Sequence, residues 1–219
     1  MTSPRQHRCK PIVDLACAAA ALVGLSPLLL ALGLWVGLGS GRPILYGQMR
    51  LGRNGVPFTL YKFRSLQTGT GDSSSIAAED DARITRPGLL LRRWRLDELP
   101  QLYNVLRGDM SLVGPRPLPL KHAAHLPPEA LAALQSVRPG ITGPAAVDFL
   151  AEDAVLAGRD EAESLYLTRL LPEKVRLQLA YLADPSPWRD WPVVWRTLTS
   201  VWSGRARQRS AEHIARLLE

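Results

Sequence analysis

Residues 12–38 constrain this chain before anything else is read: IVDLACAAAALVGLSPLLLALGLWVGL, 27 residues with one charge, Asp14. A straight helix of that length measures about 40 Å, enough to cross a hydrocarbon core of ~30 Å. The run is too long for an ordinary signal-peptide core and has a proline in its middle, so it reads as membrane-embedded. Proline removes an amide donor and clashes with the preceding turn. A helix here should bend sharply at Ser26 and Pro27, with the Ser26 hydroxyl placed to bond a carbonyl that the break sets free. Both flanks are basic. Arg5, Arg8 and Lys10 precede the run, Arg42, Arg50, Arg53, Lys62 and Arg64 follow it, and no acid lies between Asp14 and Asp72. Positive flanks favour the cytoplasmic side. A kinked spanning helix leaves one flank on the other side, whereas a helix–break–helix hairpin that enters and leaves the same leaflet satisfies both. Spanning is the commoner arrangement, so the residues alone leave the two open.

The chain has 219 residues, enough for one domain plus an appendage. Lys+Arg 27 against Asp+Glu 20 gives a net charge of +7, which suits anionic partners: nucleic acid, phosphorylated substrates or an anionic leaflet. Cys9 and Cys17 are the two cysteines, both near the N-terminus, so the body carries no disulfide framework and fits a reducing compartment. Residues 43–66 read as a β-hairpin, PILYGQMRLG and VPFTLYKFRSL around Gly52-Arg53-Asn54-Gly55, because Asn-Gly is a strong hairpin turn. On the second strand Lys62 and Arg64 share a face, with Tyr61 and Phe63 on the other. Two cations at that spacing suit a diphosphate; a solvated strand face is the competing reading. Residues 67–82, small, polar and acidic, read as a mobile loop, and no phosphate-loop or dinucleotide fingerprint is present.

From Arg83 the chain reads RITRPGLLLRRWRLDELPQLYNVLRGDMSLVGPRP, with Arg83, Arg86, Arg92, Arg93, Arg95, Arg107 and Arg116. Leu89 to Arg93 suits a short helix. Pro100 suits the first turn of the next, which runs to about Arg107 and stops at Gly108. Asp97 and Glu98 then lie at or just before its N-terminus, where unpaired amides, the helix dipole and the nearby arginines should keep both ionised. Such a pair can divide labour: one carboxylate attacks phosphorus, the other holds Mg²⁺ with substrate phosphates. A helix cap salt-bridged to arginine is the competing reading. GDMSLVGPRP (residues 108–117) and VRPGITGP (137–144) read as stiff, tightly turned loops, the first presenting Arg116 for phosphate recognition. His122 and His125 share a helix face but lack further ligands for zinc. WRDWPVVWRTLTSVW (188–202) places Trp191, Trp195 and Trp202 on one helix face, either at a membrane interface or in a buried core. Residues from Gly204 on read as a frayed, charged tail.

The broken apolar segment, YKFRSL, the long arginine block and VRPGITGP together resemble the bacterial sugar transferase family, the small monotopic phosphoglycosyl transferases, over about residues 8–202. The resemblance favours the re-entrant hairpin. It implies an enzyme of the bacterial inner membrane, at the cytoplasmic face. That enzyme moves a sugar-1-phosphate from a UDP-sugar to polyprenyl phosphate with release of UMP, at the start of membrane-linked glycan synthesis. It implies Asp97 as the nucleophile that carries a covalent phosphosugar, Glu98 as the residue associated with Mg²⁺, and Lys62, Arg92 and Arg116 as phosphate-handling positions, with Arg138 of VRPG at the site's edge. Arg64 joins them as a candidate from its strand position. Many members continue after the ITG with glutamine and then Val-Asn-Gly-Arg; this chain reads GPAAVDFLAEDAVLAG, which puts the sugar in question and leaves the dyad intact. The expected fold is α+β and mostly helical. It comprises a re-entrant helix–break–helix with its basic N-terminus over residues 1–40, a catalytic domain with a small β-hairpin and interfacial amphipathic helices over 41–203, and a charged tail over 204–219. A non-catalytic membrane-surface module that binds nucleotide or anionic lipid is the alternative. Nucleic-acid binding is disfavoured, because no recognised binding motif accompanies the charge.

Overall fold

The computed structural model describes residues 9–67, 81–159, 161–183 and 187–219. Helices α1 (Lys10–Gly24) and α2 (Ser26–Ser40) make up the apolar run, and strands β1 (Leu45–Leu51) and β2 (Pro57–Phe63) the hairpin. Then come α3 (Arg86–Arg93), a 3-10 turn (Leu96–Glu98), α4 (Gln101–Leu106), β3 (Ser111–Val113), α5 (Leu120–Ala123), α6 (Pro128–Gln135) and β4 (Gly140–Thr142). The C-terminal part is mainly helical: α7 (Pro144–Asp148), α8 (Glu152–Val155), α9 (Ala162–Leu165), a π-helical segment (Tyr166–Leu170), α10 (Leu171–Leu182), α11 (Pro187–Trp202) and α12 (Gly204–Leu218). The architecture is mostly helical with a small antiparallel sheet, as expected. Arg5, Arg8 and most of the expected loop over residues 67–82 lie outside the described residues.

The break between α1 and α2 has a local cause. Pro27 has no amide hydrogen, so the carbonyl of Val23 four residues earlier loses its helical partner, and the Ser26 hydroxyl donates to that carbonyl at 2.7 Å. The axes bend by 64°, and no single described helix is long and apolar enough to cross a membrane. One side of the pair packs inward. Ala18 meets Phe58, Leu60, Leu102, Val105 and Met110, while Leu32 and Val36 meet Phe63 and Leu91. The other side leaves Ile12, Val23, Leu30, Leu34 and Leu38 exposed.

Asp14 is not a stray charge in an apolar helix. It lies buried, 3.6 Å from Lys10 and accepting a 2.6 Å hydrogen bond from the Ser111 hydroxyl. Lys10 also donates to Asp190, which accepts from the Tyr181 hydroxyl at 2.6 Å. This network fastens the start of α1 to β3, α10 and α11.

β1 and β2 pair antiparallel from Leu45↔Phe63 to Leu51↔Pro57, and the turn places Asn54 (φ 57°) and Gly55 (φ 74°) in the left-handed region, as Asn-Gly predicts. The two stretches read as loops contain a second sheet. β3 pairs parallel with β4, Ser111↔Gly140 and Val113↔Thr142. A Cβ on Gly140 would lie 2.1 Å from the Gly114 amide nitrogen, so that crossing admits only glycine. Three-residue strands are too short to show an alternating pattern. The C-terminal tail is likewise different from expectation. Residues 204–218 form a helix capped by the Ser203 hydroxyl, with Ile214 fully buried in the largest core beside Val113, Leu170 and Val175. Its arginines masked an apolar face. α11 does not bury its tryptophans: Trp188, Trp191, Trp195 and Trp202 are all exposed, which excludes the core-helix reading.

Removing one partner of a buried ionic network leaves uncompensated charge. Lys10→Met should lower the unfolding free energy by roughly 3–5 kcal/mol, and Tyr181→Phe by roughly 1–3 kcal/mol. Denaturant titration of the detergent-solubilised protein, followed by tryptophan fluorescence, checks both.

Candidate active site

The dyad sits where the chain is forced to change direction. Thr85 caps α3, its hydroxyl accepting from the Gly88 amide at 3.1 Å, and a Cβ on Gly88 would lie 2.1 Å from the Ser65 carbonyl oxygen. α3 therefore packs directly on the end of the hairpin. At its far end Arg95 adopts φ 52°, a left-handed conformation unusual for arginine, and the chain enters the 3-10 turn that carries Asp97 and Glu98. α4 follows. Its Asn104, fully buried, donates to the Thr59 carbonyl at 2.7 Å and accepts from the Tyr61 amide at 3.1 Å, which pins α4 to β2 one residue from Lys62.

Neither carboxylate caps a helix: no side-chain cap is made at the 3-10 turn or at α4. Both are buried, 8% and 9% exposed. Glu98 Oε1 accepts from Arg116 Nη2 at 2.8 Å and from Lys62 Nζ at 3.3 Å, and Arg95 lies 3.9 Å from its Oε2. Asp97 makes no hydrogen bond through its carboxylate among the described residues.

The two environments drive the carboxyls apart, where the sequence suggested that both would simply stay ionised. Burial pushes Asp97 up to about 6, helped by neighbouring Glu98 and opposed by Lys62, Arg92 and Arg95. Burial raises Glu98 too, but Arg116, Lys62 and Arg95 together outweigh it and hold Glu98 well below the usual carboxylate range. Burial pushes Lys62 down against the pull of Glu98. At neutral pH both acids are charged, yet only Asp97 titrates near neutrality.

These groups open into a cavity of about 560 Å³. Among the described residues its cationic lining is Arg50, Lys62, Arg64, Arg83, Arg92, Arg93, Arg95, Arg116, Lys174 and Arg207, and its carboxylates are Asp97, Glu98, Glu152 and Asp153. Such an excess selects a polyanion. Lys62 and Arg116 stand on Glu98, and Arg92 lines the cavity in an ion pair with Asp153 at 2.7 Å. Arg64 borders the cavity, but its guanidinium donates to the carbonyls of Ser40 and Arg42 at the end of α2. Arg138 does not line the cavity; its carbonyl meets Gly114 at the β3–β4 crossing. Sequence reasoning passed over several lining residues, among them Arg50, Glu152, Lys174 and Gln178. Arg50 follows Gln48 on one strand face, and burial brings it down to about 10. Lys174 and Gln178 are an i, i+4 pair on α10, a spacing that was visible in PEKVRLQLAYL. Among the described residues no group of three or more His, Cys, Asp or Glu is placed to hold a metal. Mg²⁺ usually takes one or two carboxylates, with phosphate oxygens and waters completing the octahedron, and Glu98, whose Oε2 accepts no hydrogen bond among the described residues, fits as one such donor.

A family model described as bacterial sugar transferase matches residues 5–204. The chain belongs to the bacterial sugar transferase family. It is 39% identical over 197 residues to a UDP-glucose:undecaprenyl-phosphate glucose-1-phosphate transferase of Caulobacter vibrioides, covering 88% of this chain and 69% of that protein. A protein of the same description from Xanthomonas campestris is 38% identical over 88% of this chain and 38% of its own length. A UDP-N-acetylgalactosamine-undecaprenyl-phosphate N-acetylgalactosaminephosphotransferase of Aeromonas hydrophila is 34% identical over 93% of this chain and 46% of its own. The chain thus spans two thirds of the first relative and less than half of the other two. The bacterial sugar transferase match contains the dyad and the described cavity lining except Arg207, and ends where α12 begins.

A buried acid whose carboxyl is raised stabilises the fold less as pH climbs through its folded value. Replacing Asp97 with asparagine removes that penalty. Asp97→Asn should melt several degrees above the wild type at pH 7.5, with the two converging near pH 4, below which Asp97 is protonated in both states. Thermal melts across pH check this.

Proposed function

We propose that the protein transfers a sugar-1-phosphate from a UDP-sugar to polyprenyl phosphate and releases UMP, through a covalent phosphosugar on Asp97. The observation that carries this reading is the division within the dyad: Glu98 is fixed by three cations, while the Asp97 carboxylate beside it makes no hydrogen bond among the described residues in a cation-lined cavity. Asp97 attacks the β-phosphorus of the donor. The bond from that phosphorus to the oxygen bridging the α-phosphate breaks, and UMP leaves with the bond's electron pair. A phosphate oxygen of the polyprenyl phosphate then attacks the same phosphorus and releases the Asp97 carboxylate, so one group serves both displacements. Lys62 and Arg116 face the charge that gathers on the phosphoryl oxygens, and Arg92 adds a third cation across the cavity. Magnesium, when bound at Glu98, supplies further charge neutralisation on the phosphates.

What is exposed supports a location at a membrane surface. The outer sides of α1 and α2 and the four tryptophans of α11 present apolar and aromatic surface that water disfavours. We read α1–α2 as a re-entrant hairpin in the cytoplasmic leaflet, with α11 at the interface. Trp94 at the end of α3 touches Trp202 with ring centroids 4.7 Å apart, and both line the cavity. The interfacial helix therefore reaches the mouth through which a lipid phosphate would approach.

Two measurements test these readings. Donor-dependent UMP release should rise with pH through about 6 as Asp97 ionises, vanish in Asp97→Asn, and stop in EDTA; an active Asp97→Asn protein would remove Asp97 as nucleophile. For topology, cysteines placed at Thr2 and Arg53 in a Cys9→Ser/Cys17→Ser background should both resist an impermeant thiol reagent in spheroplasts and react after lysis. A spanning helix would leave one of them labelled from outside.

A further inference from the structure

We propose that Glu152, with Lys174 and Gln178, forms the subsite that takes the hydroxyl groups of the donor sugar, and that α12 holds this wall in place. The inference rests on the transferase reading and specifies where one part of the donor lies.

Arg116 divides the cavity. Its guanidinium donates to Glu98 at 2.8 Å, and its backbone amide donates to Gln178 Oε1 at 2.9 Å. On the Glu98 side stand the groups that handle phosphorus. On the Gln178 side, Glu152 is paired with the Lys174 ammonium, which also lies 4.8 Å from the Tyr166 ring centre and 5.2 Å from that of Phe149. Glu152 and Lys174 are both largely buried yet line the cavity. A carboxylate repels a diphosphate but accepts strongly from hydroxyls. The donor's neutral, hydroxyl-rich parts are therefore the ones that gain at Glu152. The sugar hangs directly on the phosphorus that Asp97 attacks, whereas the ribose stands one phosphate further away. A group one arginine removed from Glu98 therefore meets the sugar. Aromatic walls beside the polar groups suit the apolar faces of a pyranose.

The wall is built locally. Ser210 of α12 accepts from the Ala151 amide at 3.0 Å and donates to the Asp148 carbonyl at 2.9 Å, and His213 meets Phe149 edge-on at 5.6 Å. From Arg205 on, α12 lies beyond the residues that the family model matches, and the segment it holds lies within GPAAVDFLAEDAVLAG.

The test compares wild type, Glu152→Gln and the charge-neutral pair Glu152→Gln/Lys174→Met. UMP release is measured from UDP-glucose, UDP-galactose and their N-acetylamino counterparts, together with inhibition by UMP. In both variants kcat/KM for the preferred donor should fall about 10- to 100-fold, the preference among donors should narrow, and the inhibition constant of UMP should stay within about twofold. The pair variant keeps the test valid if an unpartnered Lys174 destabilises the single one. An equal loss for every donor, with the preference intact, would overturn the assignment, and so would a parallel change in UMP inhibition, which would place the nucleoside at Glu152. A wild type that releases UMP from no donor overturns the transferase reading and this assignment with it.

Discussion

Glu98 is the point on which the site closes. One carboxylate holds three cations from separate stretches of chain: Lys62 from β2, Arg95 from the left-handed turn and Arg116 from the segment after β3. Each of these, brought near the others without an acid between them, would repel its neighbours in a buried setting. Glu98 makes their convergence possible, and their convergence keeps Glu98 charged despite burial. The β-hairpin, α3, α4 and the second sheet are placed by that mutual requirement as much as by their apolar faces. Because the same cations are engaged with Glu98, Asp97 receives less of their field, and burial leaves its carboxyl raised. Two adjacent acids of nearly identical exposure thus acquire different chemistry from which cations each one touches.

The residues whose roles are local were legible in the sequence. Pro27 dictates its own break, and Ser26 answers the carbonyl that Pro27 orphans. Asn54-Gly55 dictates its own turn. The stop of α4 before Gly108, whose φ of 80° is left-handed, follows from helix-end chemistry. Roles that depend on distant chain were not legible. Asp14 finds Lys10 four residues away, a spacing any helix offers, but Asp190, which completes the network, is 180 residues from Lys10. Nothing in VRPG tells whether Arg138 faces the cavity or the crossing beneath it, since that depends on which strand Gly140 pairs with. α12 was hidden for a different reason: four arginines in fifteen residues outweigh in composition the few apolar positions, Ile214 foremost, that decide its fate.

Arg64 shows how a misplaced role can still carry the argument. Lys62 and Arg64 belong to one run of extended chain, and the expectation was that both would meet phosphate. Lys62 meets Glu98. Arg64, buried, grips the carbonyls of Ser40 and Arg42 where α2 ends, while its amide donates to the Ile44 carbonyl at 2.9 Å. A cation at a helix C-terminus satisfies carbonyls that the helix leaves unpaired and complements its dipole. The two residues together connect the exit of the apolar hairpin to the Asp97–Glu98 pair through two residues of stiff strand. Under the re-entrant reading, the depth at which the hairpin rests fixes the height of Asp97 above the leaflet, which an enzyme joining a soluble donor to a lipid phosphate must control. At the other end of the hairpin the Lys10–Asp14–Asp190 network binds α1 to α11, whose tryptophans face outward. The hairpin is therefore held at both ends by buried charge, one end to the catalytic strand and the other to the aromatic helix. Under the re-entrant reading, that arrangement resists tilt of the Asp97–Glu98 pair against the leaflet.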